Sequence, residues 1–384
     1  MNRKLAIPTA ILLIAVIVLS LFLALNYFSS QTSPRQFYLG VEYAYGNQTS
    51  EVKALVDKVK DYTNLFVIGS VELTFNRTAL DESCDYIYSS GLNFIVLFTG
   101  FNMYNYSNGY NIANWMLDAQ QKYGSQFLGI YKIDEPGGNQ LDNGPSQIIN
   151  DTFSTYSQTA QNYVGNLSAM INLYHPYTPS IFTADYALNW FDYKGNYTAV
   201  FAEFVGNESR QRIIALDRGA ANAFHRDWGV IINWKYNQGL YLENGTELYD
   251  DLSLAYSSGA KYAFVFSYPK IGEYGTLSDE QGHFDALKRF WDTLHSNPAS
   301  FGSNKAQAAY IVPENYGFGF RNKNDHIWGL FPSDTLSTKI YDDVNNTLIP
   351  TYGARFDILY NEPQIIEPIL KDYSKVFYWN QTLP

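Results

Sequence analysis

The chain has 384 residues, 46% of them hydrophobic, which is room for one large domain and a small one around a sizeable core. Its net charge is −11 and no run of Lys or Arg follows the N-terminus, which argues against a phosphate-binding surface and so against a nucleic-acid partner. The single cysteine, Cys84, excludes an internal disulfide, and no Cys/His cluster has zinc-ligand spacing, so neither a metal nor an organic cofactor is expected.

Arg3 and Lys4 precede an uncharged apolar run, residues 7–25. As a helix it would reach roughly 28 Å, close to the bilayer core. The leading positive charge predicts a cytoplasmic N-terminus and an extracellular body. Residues 1–28 therefore read as an uncleaved transmembrane anchor, with a cleaved signal peptide as the alternative. Residues 29–36 read as an exposed linker. Asn-x-Ser/Thr sequons recur from Asn47 to Asn380 and agree with a glycosylated surface protein.

Beyond the linker, apolar strands alternate with amphipathic helices. Strands are predicted at 37–45, 65–73, 93–99, 127–133, 180–186, 199–204, 228–234 and 262–268. Helices are predicted at 51–62, 80–90, 112–123, 151–172, 208–225, 247–258 and 279–295, while 189–197 reads as a loop. Eight strands over 37–302 have the count and size of a (β/α)8 TIM barrel. A doubly wound sheet is disfavoured, because no G-x-G-x-x-G follows the first strand. Residues 303–384 form a small β-α-β-α-β unit, with strands at 308–312, 356–360 and 375–379 and helices at 336–348 and 364–371. That unit is expected to pack on the barrel or to make a homo-oligomer contact.

The stretch 127–138, FLGIYKIDEPGG, organises the rest. A buried strand surfaces there in two carboxylates, Asp134 and Glu135, before Pro136, Gly137 and Gly138 open a loop. Adjacent strand residues face opposite ways. If Glu135 faces the barrel cavity, Asp134 is expected to face the helices. The ends of the other strands offer Glu42 and Tyr45, Glu72, Asp185 and Tyr186, Glu203, Asn233 and Trp234, and Tyr268. These are acids, aromatics and one amide, with no nucleophilic Ser or Cys beside a His. Glu203 stands inside the apolar run 199–205, where an unpartnered charge is costly, and a buried acid of this kind is a functional candidate. Paired carboxylates are what glycoside hydrolysis needs, one as proton donor and one as nucleophile or base. Glu135, Glu203 and Asp185 are the catalytic candidates. Glu42, Tyr45, Glu72, Tyr186, Asn233, Trp234 and Tyr268 are candidates for binding substrate, with Trp234, Tyr268 and Tyr45 as sugar-stacking faces.

The Asp134-Glu135-Pro136 triplet at the end of the fourth strand resembles the acid/base motif of clan A glycoside hydrolases, which are (β/α)8 barrels. A barrel followed by a small α/β unit also resembles beta-galactosidases with a glutamine-amidotransferase-like second domain. The resemblance implies that Glu135 is the acid/base. Clan A enzymes carry a nucleophilic Glu at the end of the seventh strand, whereas this strand ends Ile232-Asn233-Trp234. Either Glu203 or Asp185 takes that part, or the barrel has lost catalysis. The reading is a membrane-anchored extracellular glycosidase acting on a carbohydrate. Its rival is a non-catalytic glycan-binding or envelope protein on the same barrel. A third reading, a metal-dependent hydrolase using Glu42, Glu72, Asp134 and Asp185, is disfavoured by the lack of nearby His.

Overall fold

The computed structural model describes residues 35–98, 110–142, 144–151, 153–236, 240–266, 269 and 276–384. The expected anchor, most of the linker and Tyr268 lie outside these residues. Among the described residues no helix is long and apolar enough to cross a membrane.

Eight parallel strands close into a barrel. They are β1 (Tyr38–Tyr43), β2 (Leu65–Ile68), β3 (Asn93–Phe98), β4 (Phe127–Lys132), β5 (Ile181–Asp185), β6 (Ala199–Phe204), β7 (Asp227–Ile232) and β8 (Tyr262–Phe266). β8 closes the ring against β1, with Tyr38 opposite Tyr262 and Glu42 opposite Phe266. Each strand is buried on both faces, and so reads as an apolar run rather than an alternation. The outward side chains pack under the helices in one large core. The inward ones form a second core inside the barrel, where Phe182 and Phe201 stack at 5.4 Å and Tyr38 and Tyr262 at 5.0 Å. The barrel is therefore filled, and a cavity can open only at its mouth.

Helices follow the strands: α1 (Thr49–Val59), α2 (Arg77–Ser89), α3 (Ile112–Tyr123), α4 (Pro136–Leu141), α5 (Tyr156–Asn172), α6 (Asn189–Lys194), α7 (Arg210–Phe224), α8 (Gly245–Ser258) and α9 (His283–Ser296). Local chemistry sets their starts. Asn244 and Glu247 form a reciprocal capping box at α8, and Ser209 caps α7. Two expectations are corrected here. Residues 189–194 form α6 rather than a loop, so the fifth and sixth strands do have a helix between them. Trp190, Phe191 and Tyr193 are all buried, which erased the amphipathic period a surface helix shows. The second strand ends at Ile68 rather than 73, because Ser70 caps a helical turn, Val71–Thr74.

Three further strands, β9 (Ala308–Val312), β10 (Phe356–Tyr360) and β11 (Lys375–Tyr378), form a parallel sheet in the order β10-β9-β11. Helices α10 (Thr335–Asp342) and α11 (Pro363–Leu370) connect them. Residues 37–384 form one compact unit, and α7 lies directly on β10. Gly219 permits the approach, since a Cβ there would lie 2.5 Å from the Ile358 carbonyl oxygen. Beside it the buried Arg218 donates to Asp357 at 2.7 Å and to the carbonyls of Asn304, Ala354 and Phe356. Glu362, just before α11, accepts from Trp190 and Lys194 of α6. The small unit thus packs on the barrel through satisfied buried charges.

Candidate active site

A cavity of about 360 Å³ opens at the C-terminal ends of the barrel strands. Its polar lining includes Glu42, Glu72, Tyr131, Asp134, Glu203 and Asn233. Period-two alternation explains three of these. On β6 the inward side chains are Ala199 and Phe201, so Glu203 is next. On β7 Ile231 points inward and Asn233 follows. On β1 Tyr38 points inward, and Glu42 shares its parity. The acids therefore stand just above the last apolar layer, where burial and water compete.

Glu135 reaches the mouth by a different route. The strand stops at Lys132, and Ile133 and Glu135 then adopt left-handed backbone at φ +59° and +48°. Such conformations are costly for non-glycine residues, and worst for β-branched Ile. They persist because neighbours fix the turn. The Glu135 N–H donates to the Ala184 carbonyl at 3.1 Å, and Thr183 donates to the Ile133 carbonyl at 2.5 Å. Asn139 donates to the Asp134 carbonyl at 2.8 Å. This break cancels the alternation expected of adjacent residues. Asp134 lines the cavity instead of facing the helices, and its carboxylate accepts from the Tyr131 hydroxyl.

The carboxyl groups of Glu135 and Glu203 lie close enough for each to shift the other's ionisation. Burial, reinforced by Asp134 and Asp185, pushes Glu135 up to about 7. Burial and the Glu135 charge also push Glu203 well up, while Asn233, donating to Oε1 at 2.6 Å, pulls it back. Such a pair holds one proton between its members over a range in which isolated carboxylic acids are fully ionised. Asp134 is exposed at the cavity surface although protein surrounds it. Its acidity is weakened by that enclosure and restored in part by the Tyr131 hydroxyl. Glu42 is 2% exposed and pushed up by burial and by Asp134, and its Oε2 has no hydrogen-bond partner.

The structure thus brings Glu42, Tyr45, Glu72, Glu135, Glu203 and Asn233 to one mouth. Asp185 and Tyr186 stand behind it. Phe182 and Ala184 point into the barrel, so Asp185 points out. Its carboxylate accepts from the N–H groups of Gly137, Gly138, Tyr186 and Ala187. Asp185 therefore holds the turn that carries Glu135. Pro136 and the two glycines begin α4 rather than a loop, and a Cβ on Gly138 would lie 2.5 Å from the Tyr186 ring. Tyr186 donates to Asp142 at 3.2 Å. Trp234 is half-buried with its ring 5.0 Å from Phe266, which lines the cavity and also meets Tyr45 at 5.7 Å. Tyr268 lies outside the described residues. Sequence reasoning missed Tyr131 and Phe266, although both follow the inward parity of their strands. Among the described residues no group of three or more His, Cys, Asp or Glu is arranged to hold a metal.

The class defined by these features is a closed parallel barrel with paired carboxyls at its C-terminal mouth. No protein-family model matches the chain, and no curated protein matches it. Among solved structures, a GH5_18 glycoside hydrolase from Bifidobacterium longum subsp. infantis is similar over 90% of this chain and 97% of its own, with a TM-score of 0.51 and 10% identity. At that identity the likeness is one of fold. A GH5_18 variant from Bifidobacterium longum subsp. longum, in complex with Manβ1-4GlcNAc, matches at a TM-score of 0.48 and 9% identity over 90% of this chain and 96% of that one. The endo-1,4-beta-mannanase of Rhizomucor miehei matches at 0.42 and 12% over 70% of this chain and 99% of that one.

Proposed function

We propose that the barrel mouth is the active site of a glycoside hydrolase, with Glu135 as acid/base and Glu203 as the second carboxylate. The observation that carries this reading is the closeness of the two carboxyls above a filled barrel. A pair that holds one proton near neutral pH has the protonation state the reaction requires: a donor for the leaving oxygen beside a carboxylate. Glu135 is half-buried and the better placed to exchange its proton with the leaving group. Glu203 is deeper, and the amide of Asn233 stabilises its ionised form. Tyr45 and Phe266 offer ring faces beside the pair.

A sugar's anomeric carbon must sit between the two carboxyls. Retaining enzymes hold theirs about 5–5.5 Å apart and inverting enzymes about 6.5–9.5 Å. The test is hydrolysis of a panel of neutral glycosides with unactivated leaving groups by the wild type, Glu135→Gln and Glu203→Gln, with the anomer of the first product read by NMR. A loss of about 10³-fold or more in both variants, with the fold intact, supports the reading. An unchanged rate in either variant refutes it. The mutual influence of the two carboxyls favours a second reading, a glycan-binding barrel whose acids serve only each other. Binding of an oligosaccharide without turnover would establish that one.

The same proposal puts the barrel outside the cell on an anchor formed by residues 7–25, motivated by the charge before that run and the sequons after it. Protease treatment of intact cells should then remove the barrel. Full protection would overturn this placement.

A further inference from the structure

The cavity lining accepts hydrogen bonds far more than it donates them. Its described acids are Glu42, Glu72, Asp134 and Glu203, and the described lining contains no Lys, Arg or His. Three of its donors are already engaged: Asn233 with Glu203, Tyr131 with Asp134, and Ser70 with the Gly46 carbonyl. Glu42 is the telling member. It is 2% exposed, its Oε2 has no partner, and it faces the cavity from β1. A buried carboxyl oxygen without a partner is costly, whichever protonation state it adopts. A neutral sugar's hydroxyls can donate to such a lining but bring no charge to offset its carboxylates. An anionic sugar would be repelled by it. An ammonium group donates three hydrogen bonds, accepts none and brings the opposite charge.

We propose that Glu42, with Asp134 beside it, forms a subsite for the protonated amine of an amino sugar. The inference rests on the glycosidase reading of the same mouth and adds the substrate class: a glycan whose amino groups are free rather than acetylated. Burial and the Asp134 charge weaken the acidity of Glu42, and a bound ammonium would restore it. Binding at acidic pH, where the free amine is already protonated, should therefore release protons.

The experiment is calorimetric titration of the full-length protein with three probes. These are a β-1,4-linked glucosamine tetramer, its N-acetylated counterpart and a galacturonate tetramer. The expected result is at least tenfold tighter binding of the amine than of the acetylated tetramer, and no binding of the uronate. Glu42→Gln should bring the affinities for the amine and acetylated tetramers close to one another by weakening the amine tetramer about tenfold. If that variant does not fold, the wild type still decides: the amine tetramer must bind with proton release and with affinity falling in salt. Acetylated tetramer bound as tightly as the amine, or amine binding without proton release, overturns the proposal. So does calcium chloride binding in a Glu42-dependent way while the amine tetramer does not bind. Hydrolysis of neutral glycosides without amine preference would sink this inference alone. Amine binding without turnover would keep it and sink the glycosidase reading.

Discussion

Replacing Glu135 by Gln should stabilise the protein, and by an amount that depends on pH. Below about 4.5, its ordinary value, Glu135 is protonated in both the folded and unfolded chains, and its burial adds no pH dependence. Between there and about 7 the unfolded chain releases the proton while the folded chain keeps it. The folded state then binds more protons, so stability falls as pH rises, and the loss is complete above about 7. A tenfold change in acidity is worth about 1.4 kcal/mol, which sets the full loss at about 3 kcal/mol. Gln has nearly the same shape and cannot ionise. Unfolding entropy of about 2.1 cal/mol/K per residue gives the 37–384 unit about 0.7 kcal/mol/K, so the loss corresponds to about 4 °C. Thermal unfolding of both proteins across pH 4–8 should show no difference at the acid end and about +4 °C for Glu135→Gln at the alkaline end. A difference that stays flat, or a variant less stable at pH 8, would refute the shared-proton account of the pair.

Other substitutions probe the supports. Tyr131→Phe removes the hydroxyl that keeps Asp134 acidic; Asp134 then stays neutral to higher pH and repels Glu135 less, so the alkaline limb of the rate profile should move below about 7. An unmoved limb would exclude Asp134 from the network. Asp185→Asn loses an acceptor for the Gly137 and Gly138 N–H groups; misplacing the Glu135 turn should lower kcat about 10- to 100-fold with little change in KM, and a change confined to KM would contradict that role. Arg218→Met leaves Asp357 buried without its cation, and should cost about 3–5 kcal/mol in urea unfolding. A loss under about 1 kcal/mol would mean that the C-terminal sheet is held by its apolar face alone.

The barrel was legible because its strands are buried on both faces and read as apolar runs between amphipathic helices. The helix α6 failed that test because it is buried nearly all round, with Trp190 and Phe191 against Tyr360 of the C-terminal sheet. Among the acids, parity alone separates Glu203 from Asp185. Phe201 and Glu203 share the inward face, whereas Asp185 is one step off the inward pair Phe182 and Ala184. The alternation was therefore present in the sequence and sufficed to choose between them. It could not predict Asp134, because no local signal announces left-handed backbone at Ile133 and Glu135. Those conformations are imposed by long-range bonds to Ala184 and Thr183.

The position of Glu203 explains why the two carboxyls come close. The strand order is β7-β6-β5-β4, so β6 is two strands from β4 and β7 is three. At about 4.8 Å per strand, an acid on β6 faces Glu135 across roughly 10 Å of backbone, and one on β7 across roughly 14 Å along the sheet. Two glutamate side chains bridge the first span and fall short of the second. Register makes the exchange testable, since Glu203 lies opposite Ile231 and Asn233 stands one inward position above it. The double variant Glu203→Gln, Asn233→Glu moves the acid to β7 while keeping an amide and a carboxyl in the mouth. Proton sharing should be lost, and the alkaline limb attributed to Glu135 should move down from about 7 toward ordinary carboxyl values. If the reaction is retaining and Glu203 is its nucleophile, removing the carboxylate from the β6 position should slow formation of the covalent intermediate, while below the shifted limb Glu135 still donates its proton to the leaving group. Substrates with activated leaving groups, which need no proton, should then lose as much rate as unactivated ones. A variant that hydrolyses activated and unactivated substrates at wild-type rates would show that the Glu203 position is not part of the chemistry.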